Sequence, residues 1–237
     1  MWKQGFGYHI DIVMCIDSTG SMKTSLDILK QQAKTFYADF VVAMAENARR
    51  LEKLRIKVID FRDYGNLRAP AMTESRFFEF GEDVNESVEF SAYVDGIRPL
   101  YGGDIPENAL EAIALAMKSD WTPVEVRKRQ IIMLFTDAPA LKLSDRANLA
   151  GYPTGMPKDF VELEQWWEGE KQECTGSYNP SYGYLFIFAP NFEPWDNMLM
   201  WNRCFPMYSK AGEDLKELDL ETVVGFLFKS FGKVSKC

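Results

Sequence analysis

Two apolar runs rich in β-branched residues, Ile10-Asp11-Ile12-Val13-Met14-Cys15-Ile16 and Gln130-Ile131-Ile132-Met133-Leu134-Phe135, each stop abruptly at an acidic turn. The first gives way to Asp17-Ser18-Thr19-Gly20-Ser21, the second to Thr136-Asp137-Ala138-Pro139. Near-continuous apolar character suits a strand covered on both faces, as the strands of a parallel sheet are. Such strands need helices above and below them, and the sequence supplies these. From Ser21 to Ala48 the residues Leu26, Leu29, Ala33, Phe36, Tyr37, Phe40, Val41 and Met44 recur at three- and four-residue steps, the stripe of a long amphipathic helix.

Further elements follow in alternation. Arg55 to Phe61 reads as a strand, Arg76 to Phe80 as a short one near an edge, and Val84 to Ile97 and Pro106 to Lys118 as helices. Tyr184 to Ala189 repeats the buried-strand pattern, Arg203 to Tyr208 is a weaker strand, and Asp214 to Phe231 is an amphipathic helix. Strand and helix in turn predict an α/β fold. Its central sheet is doubly wound and mostly parallel, with right-handed crossovers, helices on both faces and one short antiparallel edge strand. The chain has 237 residues, within reach of a single domain at a soft prior of ~150 residues each, and no linker divides it. One domain over 1–237 is expected, with a long insertion at about 138–183. A connection of that length between core strands is more often functional than idle.

A net charge of −8 repels phosphate backbones and anionic headgroups, which speaks against nucleic acid and membrane surfaces as partners. The four cysteines, Cys15, Cys174, Cys204 and Cys237, form no C-x-x-C pair and are too few for a disulfide framework. No basic segment followed by a long apolar run opens the sequence, and no uncharged run nears the ~20 residues that span a bilayer. The expectation is a soluble cytoplasmic protein with reduced thiols.

In an open α/β sheet, ligands sit beyond the carboxyl ends of the strands. Three such places carry oxygen donors. Asp17, Thr19 and Ser21 alternate after the first strand and can turn a carboxylate and two hydroxyls toward one point. Asp104 lies in Tyr101-Gly102-Gly103-Asp104-Ile105-Pro106-Glu107, and Asp137 ends the strongest strand. Hard oxygen donors without His or Cys suit Mg²⁺, with Mn²⁺ or Ca²⁺ as alternatives. Asp104 with Pro106 and Glu107 also reads as a helix N-terminus with a capping-box-like pair, and the two readings are compatible. Arg62-Asp63 reads as an ion pair or turn, and His9 as a surface residue at a strand start rather than a base.

The ordered trio DSTGSM, YGGDIPENAL and LFTDAP resembles the von Willebrand factor A family with its metal-ion-dependent adhesion site. The resemblance covers nearly the whole chain and carries over Asp17, Thr19, Ser21, Asp104 and Asp137 as metal residues. Phe61 to Gly65 and Gly102 to Leu110 are similar to the branch found in alpha-kinase A domains and in bacterial stand-alone A-domain proteins. The integrin-type site has a Thr where Asp104 stands. Three carboxylates around one divalent ion would leave a net charge of about −1, which crowds the site with like charge unless the metal is present. The pattern then marks a site closed by Asp104 or one that accepts a neutral ligand atom.

The resemblance implies a non-enzymatic module that holds a partner protein through a divalent cation, beside a kinase, a phosphatase or an AAA⁺ ATPase. Tyr152, Trp166, Trp167, Tyr178 and Tyr182 in the insertion are the residue types that anchor interfaces, and equally the types that pack beneath a long loop. A second reading makes Asp17 the nucleophile of a Mg²⁺-dependent phosphotransferase of the haloacid-dehalogenase-like kind. The later lysine and paired acidic motif of that kind are missing here, and no Gly-x-x-x-x-Gly-Lys loop or Gly-x-Ser-x-Gly elbow is present.

Overall fold

The computed structural model describes residues 7–46, 50–65, 69–81, 84–100, 106–123, 128–209 and 225. The helix expected at Asp214 to Phe231 lies outside the described residues apart from Gly225, as does Asp104. The parallel strands are β1 (Tyr8–Asp17), β2 (Leu51–Phe61), β5 (Lys128–Phe135), β6 (Gly183–Pro190) and β7 (Cys204–Ser209). Two short strands, β3 (Met72–Glu74) and β4 (Phe78–Phe80), run antiparallel to β2. The sheet order is β3-β2-β1-β5-β6-β7, with β4 also on β2.

One short antiparallel edge strand is expected, and among the described residues two short strands share that edge. β3 pairs with Ile59 to Phe61 and β4 with Leu54 to Ile56, so they divide the free edge of β2 between them. Met72-Thr73-Glu74 is too short and too polar to show an alternating pattern.

Side-chain alternation along the strands feeds two cores. On one face Ile10, Ile12, Met14 and Ile16 of β1 pack with Leu26, Phe36, Phe40 and Met44 of α1 (Lys23–Glu46) and with Phe90 and Val94 of α2 (Ser87–Gly96). On the other, Val13 and Cys15 meet Leu110, Ile113 and Met117 of α3 (Ala109–Met117) and Leu163, Trp166 and Trp167 of α4 (Phe160–Glu168). Helices therefore cover both faces, which is why the central strands are near-continuously apolar.

The order of the sheet positions the site. From β1 the chain passes through α1 to β2 on one side, and from β5 it passes to β6 and β7 on the other. The direction of winding reverses between β1 and β5, so a crevice opens at their carboxyl ends. Asp17 ends β1, and Thr136-Asp137 follows β5.

Candidate functional site

Asp17 is fully buried at the last rung of β1, opposite Phe61 of β2. Its Oδ1 accepts from the Thr19 backbone N–H at 2.9 Å and from the Thr19 hydroxyl at 2.6 Å. This turn, closed by an aspartate side chain, suits a short polar sequence with Gly20 behind it. Its Oδ2 accepts from the Thr136 hydroxyl at 2.7 Å, across the gap to β5. Met22 N–H then bonds to Thr19 O at 3.2 Å, so Ser21 sits in the turn that enters α1. The Ser21 hydroxyl donates to Asp137 Oδ1 at 3.1 Å and lies 3.2 Å from the Thr19 hydroxyl.

The result is a continuous chain of contacts, Thr136 to Asp17 to Thr19 to Ser21 to Asp137, closed by the peptide bond between its two ends. Four of the five residues singled out for metal binding, Asp17, Thr19, Ser21 and Asp137, are thus brought to one rim; Asp104 lies outside the described residues. Thr136 is an addition. It holds the second oxygen of Asp17 and accepts from Ala138 N–H at 3.2 Å. Its place beside Asp137 in the Thr-Asp pair was visible in the sequence, but its partner was not.

Burial pushes the Asp17 carboxyl up to about 6, the nearby Asp137 charge adds to the rise, and the hydrogen bonds from Thr19 and Thr136 oppose it. Glu107 is a second addition. It is 3% exposed, its Oε2 has no hydrogen-bond partner, and burial with the charges of Asp17, Asp63 and Asp137 pushes it up to about 8. The capping role expected for Glu107 is not the one it has. Helix α3 begins at Ala109 with Asn108 as its N-cap, while Glu107 precedes it and bonds through its backbone to Pro139 O and Leu141 N–H.

Among the described residues no three carboxylate, imidazole or thiolate groups converge closely enough to hold a metal by themselves. The rim instead combines two carboxylates with two hydroxyls, beside a buried, underpartnered glutamate. This donor set fits a hard divalent cation that keeps water or an outside oxygen in its shell.

No family model matches the chain, and no curated protein matches its sequence. Solved structures do match. The vWF domain of the type V pili tip protein Mfa5 from Porphyromonas gingivalis aligns with a TM-score of 0.53 at 11% identity, covering 98% of this chain and 99% of that one. The pilus adhesin SpaC from Lactobacillus rhamnosus GG gives 0.56 at 11% identity over 96% of this chain, which spans only 31% of SpaC. The fold is that of a von Willebrand factor A (VWA) domain.

The VWA fold corrects the reading of the aromatic anchors. Trp166, Trp167 and Tyr178 are 2%, 2% and 1% exposed and belong to the core beneath α3 and α4. The Trp167 ring lies 5.3 Å from that of Tyr178 and 6.5 Å from that of Trp201, and its Nε1 donates to Asn202 O at 2.7 Å. Leu163, Trp166 and Trp167 form an i, i+3, i+4 stripe that turns toward the sheet. Gly183 has no side chain where the Tyr178 ring and hydroxyl approach.

Tyr182 is also displaced from the rim. Gln130 N–H bonds to Tyr182 O, and Gln130 pairs with Gly183 near the start of β5 and β6, at the opposite end of the sheet from Asp137. The segment 138–183 does not stay on the rim, because a parallel β6 must begin at the other end. It descends along one face, and α4 is the crossover helix of that descent. Tyr152 is half-buried near the rim; its hydroxyl donates to Glu111 Oε1 at 3.0 Å and its ring lies 5.1 Å from that of Tyr64. Arg62 and Asp63 do not pair with each other: Arg62 meets Asp60 at 3.1 Å and Asp63 meets Arg146 at 3.0 Å. His9 stands near Glu52 at the start of β1.

Proposed function

We propose that this chain is a protein-interaction module whose partner contact runs through a divalent cation. Asp17, Thr19, Ser21 and Asp137 would hold the ion, with Asp104 added from the sequence pattern, and Mg²⁺ is the expected occupant, with Mn²⁺ or Ca²⁺ able to replace it. The observation that carries this reading is the closed Thr136–Asp17–Thr19–Ser21–Asp137 chain at the switch point of the sheet. A bound cation supplies a Lewis-acidic position for a partner's oxygen atom. The protein's own side chains fix that position: Thr136 and Thr19 orient Asp17, and Ser21 orients Asp137.

The sequence favours binding over phosphoryl transfer, because the later lysine and the paired acidic motif that a phosphotransferase of that kind needs beside its nucleophile are missing. A kinase, phosphatase or AAA⁺ ATPase as partner rests on the resemblance of the Phe61–Gly65 and Gly102–Leu110 segments. A cytoplasmic setting rests on the free thiols of Cys15, Cys174 and Cys204.

The test is partner capture by the tagged chain in Mg²⁺, in excess chelator, and with Asp17→Ala in Mg²⁺. Capture should occur only in the first arm, and none of the three samples should turn over a generic phosphate ester. Equal capture in all arms, or ester turnover lost in Asp17→Asn, would contradict the reading.

A further inference from the structure

Behind the Asp17–Ser21 turn, away from the oxygen donors, lies a second circuit of buried polar contacts. The hydroxyl of Ser18, a fully buried residue between the two donors Asp17 and Thr19, lies 3.3 Å from both Asp60 Oδ2 and Phe61 O and shares its one proton between these two acceptors at the end of β2. The same carboxylate oxygen meets Arg62 Nη2 at 3.1 Å, and that nitrogen donates to Arg98 O at 3.0 Å. Two residues further on, Leu100 N–H donates to Ser18 O at 3.1 Å, and Leu100 makes a parallel bridge with Thr19. The circuit therefore runs from Ser18 through Asp60, Arg62, Arg98 and Leu100 back to Ser18.

Its outer side is also held. Arg62 Nη1 donates to Pro70 O at 3.1 Å, and Lys30 of α1 donates its ammonium to Ile97 O at 2.5 Å. Two buried cationic side chains thus grip successive carbonyls of the 97–100 strap, Lys30 from the helix and Arg62 from the end of β2. Asp60 and Arg62 are 5% and 6% exposed. A buried ion pair contributes little net stability against its desolvation cost, and its best-supported use is to fix one arrangement among several. Here the arrangement it fixes is the height and tilt of the strap on which Thr19 rests.

We infer that Arg62, acting through Asp60, Ser18 and the 97–100 strap, is a positioning residue that sets the geometry of the Asp17–Thr19–Ser21 donors. This rests on the metal-site reading above. Arg62 touches none of the donors; it holds the backbone that carries them. Partners one step removed from a metal commonly change affinity by about 10–100-fold when lost. A guanidinium is needed because it reaches Pro70 O, Arg98 O and Asp60 from one plane, which an ammonium does not do as well.

The test uses Mn²⁺ titrations of the whole chain by calorimetry, with chemical unfolding in chelator as the check on folding. The wild type should bind one Mn²⁺, Arg62→Met should bind about tenfold more weakly, and Arg62→Lys should recover part of that loss. In a Thr19→Val background Arg62→Met should cost less than about twofold, because both changes act on the same donor. A purely structural role would give equal losses in the two backgrounds. If Arg62→Met does not fold, Ser18→Ala removes only the hydroxyl link and should still weaken Mn²⁺ binding about threefold or more. Folded variants with wild-type affinity, or losses that simply add, would overturn the inference while leaving the metal site standing. Failure of the wild type to bind would overturn both.

Discussion

Asp17, Thr19, Ser21 and Asp137 are legible in the sequence because local rules suffice to place them: a strand ends, side chains alternate, and the donors recur at alternate positions. Thr136 and Glu107 are not legible in the same way. Thr136 acquires its role only when β5 lies beside β1, and Glu107 only when the chain before α3 settles against Pro139 and Leu141. Glu107 makes a prediction of its own. Its folded-state pKa of about 8 stands above the ordinary 4.5, so between these values the folded protein binds more protons than the unfolded one. Metal-free stability should therefore fall as pH rises through this window. Glu107→Gln should flatten that fall and stabilise the metal-free protein at pH 8 by on the order of 4 kcal/mol. Urea unfolding of both proteins in chelator at pH 5 and pH 8 measures it; equal slopes with pH would contradict the assignment.

At the scale of elements the long apolar strands and α1 follow directly from their periodicity, and their observed ends differ from expectation by a few residues. The aromatic-rich segment was harder to read. A tryptophan pair after a long loop carries the same residue types whether it packs inward or faces a partner, and only the position of β6 decides. Because β6 is parallel to β5, the segment must cross a face of the sheet, and a helix that crosses a face buries its apolar stripe. Trp167→Ala should accordingly lower unfolding free energy by about 3–5 kcal/mol. Trp167 packs among Tyr178, Trp201 and Leu163, away from the rim, so Mn²⁺ affinity of the folded fraction should stay within about twofold. A folded Trp167→Ala protein of unchanged stability would contradict the core assignment.

For the molecule as a whole, alternation of strands and helices was enough to infer a doubly wound sheet, but not its order. The order β2-β1-β5-β6 makes the β1–β5 gap the switch point, and so makes the turns after those strands a single site. The VWA fold shared with the pilus proteins Mfa5 and SpaC has the same meaning at this scale: it supplies a rim, while the chemistry lies in the donors placed on it. Burial raises the Asp17 and Glu107 carboxyls, and a bound cation would favour their ionised form. The account therefore depends on a cation. Its most direct test is calorimetric titration of the purified chain with Mg²⁺ and Mn²⁺, beside Asp17→Ala and Asp137→Ala variants whose folding is confirmed by circular dichroism. The account predicts one saturable site in the wild type and none in either variant; binding of equal strength in all three proteins, or none in the wild type, would contradict it.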